Sequence, residues 1–136
     1  MKIMIVDDDN TTRKILGLYL KGNGYGTVFA ENGLDAIEKL ASNEVNMIIT
    51  DLNMPFMDGL ELVRTLKTDP MMSALPILMI TTDEDEVEKE EILSAGADGY
   101  LVKPVTAESV VKCIESIMSK AGHNKPSKND IDGGIL

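Results

Sequence analysis

Short apolar runs alternate with longer amphipathic segments along most of the chain. Five runs predict β-strands at residues 2–6, 27–30, 46–50, 76–80 and 99–102. After each run, apolar residues recur every three or four positions, which is the period of an α-helix. These helices are predicted over 10–21, from 33, from 58 or 59, over 86–94 and over 107–120. The alternation, with right-handed crossovers, predicts an α/β fold: a doubly wound five-stranded parallel sheet in a three-layer α/β/α sandwich.

The predicted helices have recognisable ends and apolar sides. Asp9 or Asn10 caps the first helix, and the sequence Gly22-Asn23-Gly24 ends it, since these residues tolerate the left-handed conformation that follows a helix. The apolar side of the first helix is predicted to contain Ile15, Leu16, Leu18, Tyr19 and Leu20. The second helix carries its apolar residues at helical spacing, namely Leu34, Ile37, Leu40 and Ala41.

Composition and charge limit the possible functions. The chain has 136 residues and 43% hydrophobic content, which fit a single domain, predicted over residues 1–121. Residues 122–136 have little to bury and are predicted to form a flexible tail. With 13 basic and 23 acidic residues, the net charge is −10, which argues against nucleic acid or an anionic membrane as a direct partner.

The expected location is the cytoplasm. The single cysteine, Cys113, permits no internal disulfide. No apolar run is long enough to span a bilayer, and no signal peptide precedes the first strand.

Charged residues follow three of the predicted strands. Asp7 and Asp8 come directly after the first strand, Asp51 after the third and Lys103 after the fifth. The carboxyl ends of parallel strands meet at one edge of a sheet, where open α/β proteins bind ligands, so these side chains are predicted to share a pocket. Clustered carboxylates repel one another unless a cation neutralises them, and oxygen ligands suit Mg²⁺. A carboxylate beside a hard cation and a lysine can accept a phosphoryl group.

These motifs resemble the receiver domain of two-component response regulators. The resemblance covers about residues 1–120. It rests on Val6-Asp7-Asp8, on Thr50-Asp51-Leu52-Asn53-Met54-Pro55 with Met57-Asp58-Gly59, on Met79-Ile80-Thr81, and on residues 96–104, which end in Lys103-Pro104. The resemblance implies a flavodoxin-like strand order, 2-1-3-4-5.

The resemblance also implies a metal site and a phosphoacceptor. Asp51 would accept the phosphoryl group. Asp8 and Asp51 would bind Mg²⁺ through their side chains, and Asn53 would bind it through its backbone carbonyl. Asp7 would hold a water molecule on the metal. These are oxygen ligands of the kind that Mg²⁺ prefers.

Further residues would read and transmit the phosphorylated state, again by resemblance. Thr81 would donate a hydrogen bond to the phosphoryl group, and Lys103 would pair with it. Tyr100 corresponds to an aromatic residue that turns inward when the threonine moves toward the phosphate. The bond before Pro104 is expected to be cis, as the family keeps it.

The resemblance implies partners and not a turnover enzyme. The chain would catalyse only its own phosphorylation and dephosphorylation. The stretch 72–79 and Asn53 are similar to single-domain chemotaxis response regulators. A sensor histidine kinase would then be the donor, the flagellar motor switch or another protein the target, and a phosphatase a further partner. The acidic residues from Asp83 to Glu91 are predicted to face a basic segment of the target, because complementary charge speeds association.

Three alternatives remain open at the level of sequence. The first is a phosphorelay intermediate, which would pass its phosphoryl group to a histidine phosphotransfer protein and would have the same fold and pocket. The second is a phosphohydrolase of the haloacid dehalogenase type, which usually carries an acid/base aspartate two positions after the nucleophile; here that position is Asn53. The third is a flavodoxin, which is disfavoured because three aspartates after the first strand would repel a phosphate.

Overall fold

The computed structural model describes residues 1–120, so the predicted tail at 122–136 lies outside the described residues. The strands are β1 (Lys2–Val6), β2 (Gly26–Ala30), β3 (Met47–Thr50), β4 (Ile77–Thr81) and β5 (Gly99–Val102). The helices are α1 (Asn10–Lys21), α2 (Gly33–Leu40), α3 (Gly59–Lys67), α4 (Glu86–Ala95) and α5 (Ala107–Lys120). Every predicted strand and helix is present, and the bounds differ by one residue at most where both ends were predicted.

The five strands form one parallel sheet in the order β2-β1-β3-β4-β5. This confirms the doubly wound, flavodoxin-like fold. In the register of the sheet, Val6 is paired with Thr50, and Thr81 is paired with Val102. The residues that follow β1, β3 and β5 therefore emerge at the same edge, as the sequence predicted.

The core consists of two apolar layers, one on each face of the sheet. Alternate strand residues such as Met4 and Val6 pack with buried residues of α2, α3 and α4. The intervening residues, such as Ile3 and Ile5, pack with α1 and α5. Each fully buried side chain of this size contributes roughly 1.5–3 kcal/mol of transfer free energy. Because both faces of the sheet are covered in this way, the strands and their ends are held in fixed positions.

The apolar sides predicted for the first two helices were partly wrong. Leu16 and Leu20 are buried, but Ile15 is 44% exposed and Leu18 is 70% exposed. Residues four apart lie on one helix face, whereas Leu18, midway between the two buried leucines, points away from them. Leu34, near the start of α2, is also 52% exposed.

The helix starts and one strand end bear directly on the site. Asp9, Asn32, Asp58 and Asp85 cap α1, α2, α3 and α4, and each accepts hydrogen bonds from the first-turn amides. Strand β4 extends to Thr81, one residue beyond the predicted end, because Thr81 still pairs with β5. No helix within residues 1–120 is long and apolar enough to cross a membrane.

Candidate phosphoacceptor and metal site

Three carboxylates meet at the carboxyl edge of the sheet. Asp7 and Asp8 follow β1, and Asp51 follows the neighbouring strand β3. One oxygen from each of the three lies within 4.8 Å of the others. The predicted convergence of these aspartates is therefore present in the fold.

Asp7 is the most constrained member of this cluster. Its side chain is almost completely buried, with the residue only 2% exposed. One of its oxygens, Oδ1, accepts a hydrogen bond of 2.9 Å from the amide of Asp9. The guanidinium of Arg13 donates to the backbone carbonyl of Asp7 and further fixes this turn. No sequence pattern points to Arg13, because α-helical spacing does not indicate which residue of α1 reaches back to the strand end.

Lys103 supplies the positive charge of the pocket. Its Nζ lies 3.1 Å from Oδ2 of Asp7 and 3.5 Å from Oδ1 of Asp51. Burial alone would lower the pKa of Lys103, but the carboxylates of Asp51 and Asp7 outweigh burial and raise this pKa above its ordinary value. The ammonium is therefore charged at neutral pH. The bond from Lys103 to Pro104 is cis, as the resemblance implied.

The electrostatic balance around Asp51 favours an additional cation. Burial and the negative charge of Asp7 raise the pKa of Asp51, and Lys103 only partly opposes them. One ammonium faces three carboxylates, so the pocket carries excess negative charge. A set of hard oxygen donors with excess charge and one exposed member, Asp8, fits a divalent cation such as Mg²⁺ that keeps part of its water shell.

The loop after Asp51 is held close to the start of α3. The amide of Gly59 donates a 2.7 Å hydrogen bond to the carbonyl of Leu52. A Cβ atom on Gly59 would lie 2.2 Å from the carbonyl oxygen of Asp51, so only glycine fits here. Asn53 lies in this loop with its side chain exposed, and the predicted use of its backbone carbonyl stays a prediction.

Asp83 links the two predicted switch residues. Thr81 is fully buried, and its hydroxyl oxygen accepts a 3.2 Å hydrogen bond from the amide of Asp83. The phenol of half-buried Tyr100 donates a 2.7 Å hydrogen bond to the carbonyl of the same Asp83. The ammonium of Lys89 lies 5.6 Å from the centre of the Tyr100 ring. Thr81 and Tyr100 are therefore connected through one shared residue, and their predicted role as a switch stays a prediction.

The predicted acidic surface at the start of α4 is partly engaged within the chain. Glu91 forms a 2.9 Å ion pair with Arg64 of α3. A hydrogen bond with Asp83, followed by burial and neighbouring acids, raises the pKa of Glu88 to about 7. The same hydrogen bond lowers the pKa of Asp83. The role predicted for this surface in binding a partner stays a prediction.

Known proteins similar to this chain share both its sequence and its fold. The family model of the response regulator receiver domain matches residues 3–115. Chemotaxis protein CheY1 of Helicobacter pylori is 40% identical over 120 residues, which are 87% of this chain and 97% of that protein. Chemotaxis protein CheY of Pseudomonas aeruginosa is 38% identical over 121 residues, 88% of this chain and 98% of that protein.

A solved structure gives the same result. The chemotaxis response regulator CheY4 of Vibrio cholerae superposes with a TM-score of 0.80 at 34% identity, covering 85% of this chain and 97% of that one. Receiver domains are signalling proteins and not classical enzymes; they generally bind Mg²⁺ in an acidic pocket and work with sensor kinases and downstream targets. The chain belongs to the response regulator receiver domain family.

Proposed function

We propose that Asp51 accepts a phosphoryl group from a sensor histidine kinase, and that the phosphorylated protein binds a target protein in chemotaxis. One observation carries the proposal: the Asp51 carboxylate lies among Asp7, Asp8 and Lys103 at the carboxyl edge of the sheet. Phosphoryl transfer depends mainly on positioning and on neutralising the charge of the transferred group. This arrangement supports both requirements.

The chemistry of transfer follows from the positions of the side chains. A carboxylate oxygen of Asp51 forms a bond to phosphorus while the phosphorus–nitrogen bond of the donor's phosphohistidine breaks. The electron pair of that bond stays on the imidazole nitrogen. Lys103, kept charged by its two carboxylate neighbours, pairs with the oxygens of the transferred group. The hydroxyl of Thr81 donates a hydrogen bond to one of them.

A divalent cation would complete the pocket. The carboxylates of Asp7, Asp8 and Asp51 and the backbone carbonyl of Asn53 would hold Mg²⁺, with Asp7 acting through a bound water. When bound, Mg²⁺ would offset the negative charge of the phosphoryl oxygens. The same cation would relieve the repulsion that raises the pKa of Asp51.

The names of the relatives favour a role in chemotaxis over the phosphorelay alternative. Both curated relatives described above are named chemotaxis proteins, and each is matched over nearly its whole length. We infer that the target is the flagellar motor switch or a protein of similar role, and that the protein acts in the cytoplasm. A phosphohydrolase is disfavoured, because an amide at Asn53 cannot transfer the proton that steady ester turnover requires.

An apolar groove beside the pocket supports a protein donor. The groove, of about 430 Å³, runs between α1 and the segment after β5, and its walls include Ile15, Tyr19, Pro104 and Val105. Lys103, which also pairs with Asp7 and Asp51 in the pocket, is one of the residues that line the groove. An apolar wall next to a charged pocket suits a protein surface that must cover the pocket during transfer.

The experiment is phosphorylation by acetyl phosphate, followed by intact-mass spectrometry. With Mg²⁺, the wild-type protein is expected to gain one phosphoryl group, and removal of Mg²⁺ with a chelator is expected to prevent this. Asp51→Asn keeps the shape of the side chain and is expected to gain none. Asp69→Asn, in an exposed loop remote from the pocket, is the matched control and is expected to behave as wild type. An equal adduct on Asp51→Asn, or continuous release of phosphate from many ester substrates, would contradict the proposal.

A further inference from the structure

Phe56 has an unusual backbone and an unusual environment. Its φ is 69°, the only positive φ at a non-glycine residue within 1–120. Its side chain is 83% exposed. The left-handed conformation is unfavourable for a residue with a bulky side chain, and an exposed ring recovers almost nothing through burial. Neither property is explained by the stability of the fold.

The neighbours of Phe56 hold it in this exposed position. Met54 and Met57 both pack against the core layer under α2 and α3. The carbonyl of Met57 accepts a 3.0 Å hydrogen bond from the amide of Gly33, and the Met57 side chain fills the space where a Cβ on Gly33 would lie. The loop is therefore anchored on both sides of Phe56, so that the ring is presented to solvent without freedom to fold back.

A shallow depression with a mixed lining lies between Phe56 and α2. Its apolar part is formed by Phe56 and by Leu34, which is 52% exposed. Its polar part includes Asp35 and Glu38. Asp35 is paired with Lys39 at 3.2 Å, whereas Glu38 forms no ion pair within residues 1–120. A segment that carries an apolar side chain next to a lysine or arginine fits this lining.

We propose that Phe56 and Leu34 anchor the phosphohistidine-bearing donor protein through such a segment. The inference rests on the proposed function. Phe56 lies five residues from Asp51, on the loop that leads from the acceptor to α3. A donor has to cover the mouth of the pocket during transfer, whereas a downstream target does not have to cover it. A rigidly held aromatic side chain on the loop that leaves the acceptor is a suitable anchor, because little freedom is lost when it is covered.

The test compares a protein donor with a small donor. The protein donor is the autophosphorylated histidine kinase that transfers fastest to the wild-type chain, chosen from the purified kinases of the source organism. Phe56→Asn suits the left-handed backbone and removes the ring. It is expected to slow transfer from this kinase about tenfold at subsaturating concentration, a typical loss for an anchoring residue. Its rate with acetyl phosphate and its Tm are expected to be no lower than those of wild type.

Two further variants and one control make the test specific. Leu34→Ala is expected to slow transfer from the kinase in the same way, and Glu38→Lys is expected to slow it most at low salt. Met71→Asn replaces an equally exposed apolar side chain at the opposite edge of the sheet and is expected to leave both rates unchanged.

The possible results separate the anchor from the acceptor. Kinase transfer to Phe56→Asn at the wild-type rate would overturn the anchor and leave Asp51 as the acceptor. An equal loss with both donors would also overturn it, because Phe56 would then shape the pocket and not bind the donor. Failure of the wild-type chain to accept phosphate from either donor would overturn the inference and the proposed function together.

Discussion

The close approach between Gly59 and Asp51 yields a sharp prediction for Gly59→Ala. The added Cβ would lie 2.2 Å from the carbonyl oxygen of Asp51 and 3.0 Å from the Cα of Leu52. Ordinary contacts for a Cβ begin at 3.4 Å, and both neighbours are backbone atoms that cannot rotate away. The segment that carries the candidate phosphoacceptor must therefore shift away from α3.

The expected loss of stability is moderate. Overpacking that forces a backbone shift of roughly 1 Å costs about 1–3 kcal/mol. The shift also stretches the 2.7 Å hydrogen bond from the Gly59 amide to the carbonyl of Leu52. For a domain of this size, a loss of about 2 kcal/mol corresponds to a fall in Tm of roughly 8 °C.

Urea denaturation followed by circular dichroism measures this loss, and intact-mass kinetics with acetyl phosphate measure the effect on Asp51. Gly59→Ala is expected to lower both the free energy of unfolding and the phosphorylation rate. Gly26→Ala is the matched control, because a Cβ there meets nothing closer than 3.8 Å and is expected to cost nothing. A Gly59→Ala protein as stable as wild type would refute the reasoning about close approach.

Three further predictions concern the metal, the pH dependence and the switch. Lys103→Ala is expected to bind Mg²⁺ at least as tightly as wild type, because it removes a nearby positive charge and no ligand. Asp8→Ala is expected to lose affinity, because it removes a ligand oxygen. Equal losses in calorimetric titrations would contradict this division of roles. In the folded protein the pKa of Glu88 is about 7, whereas in the unfolded chain it is near 4.5. Between these two pH values the folded state therefore holds more protons at Glu88 than the unfolded state. The contribution of Glu88 makes the free energy of unfolding fall as pH rises through this range. Denaturation across this range is expected to lose that fall in Glu88→Gln, and an unchanged slope would contradict the assignment. Beryllofluoride, which stands in for the phosphoryl group, is expected to change NMR shifts along α4, β5 and α5, including Tyr100, and changes confined to the pocket loops would argue against a switch.

Much of the site could be predicted because it follows from strand ends. Apolar runs indicated where β1, β3 and β5 end, and parallel pairing brings those ends to one edge. The positions of the strand ends are therefore enough to predict that Asp7, Asp51 and Lys103 lie together. The order of the strands could not be predicted in this way. Periodicity indicates which face of a strand is buried but not which strand is its neighbour. That order came from the resemblance to receiver domains.

Other features could not be read from the pattern because they depend on tertiary packing. Ile15 and Leu18 have the spacing of a buried helix side, yet the buried residues of α1 are Leu16, Gly17 and Leu20. The positive φ of Phe56 contradicts the local preference of a bulky residue. It arises because Met54 and Met57 anchor the loop on both sides, which no local signal reveals.

The central claim is that Asp51, and no other carboxylate of the cluster, accepts the phosphoryl group. Borohydride reduces an acyl phosphate of aspartate to homoserine, and tandem mass spectrometry of peptides then locates the changed residue. After incubation with acetyl phosphate and Mg²⁺, homoserine is expected at position 51 alone. Homoserine in place of Asp7 or Asp8, with Asp51 unchanged, would contradict the account.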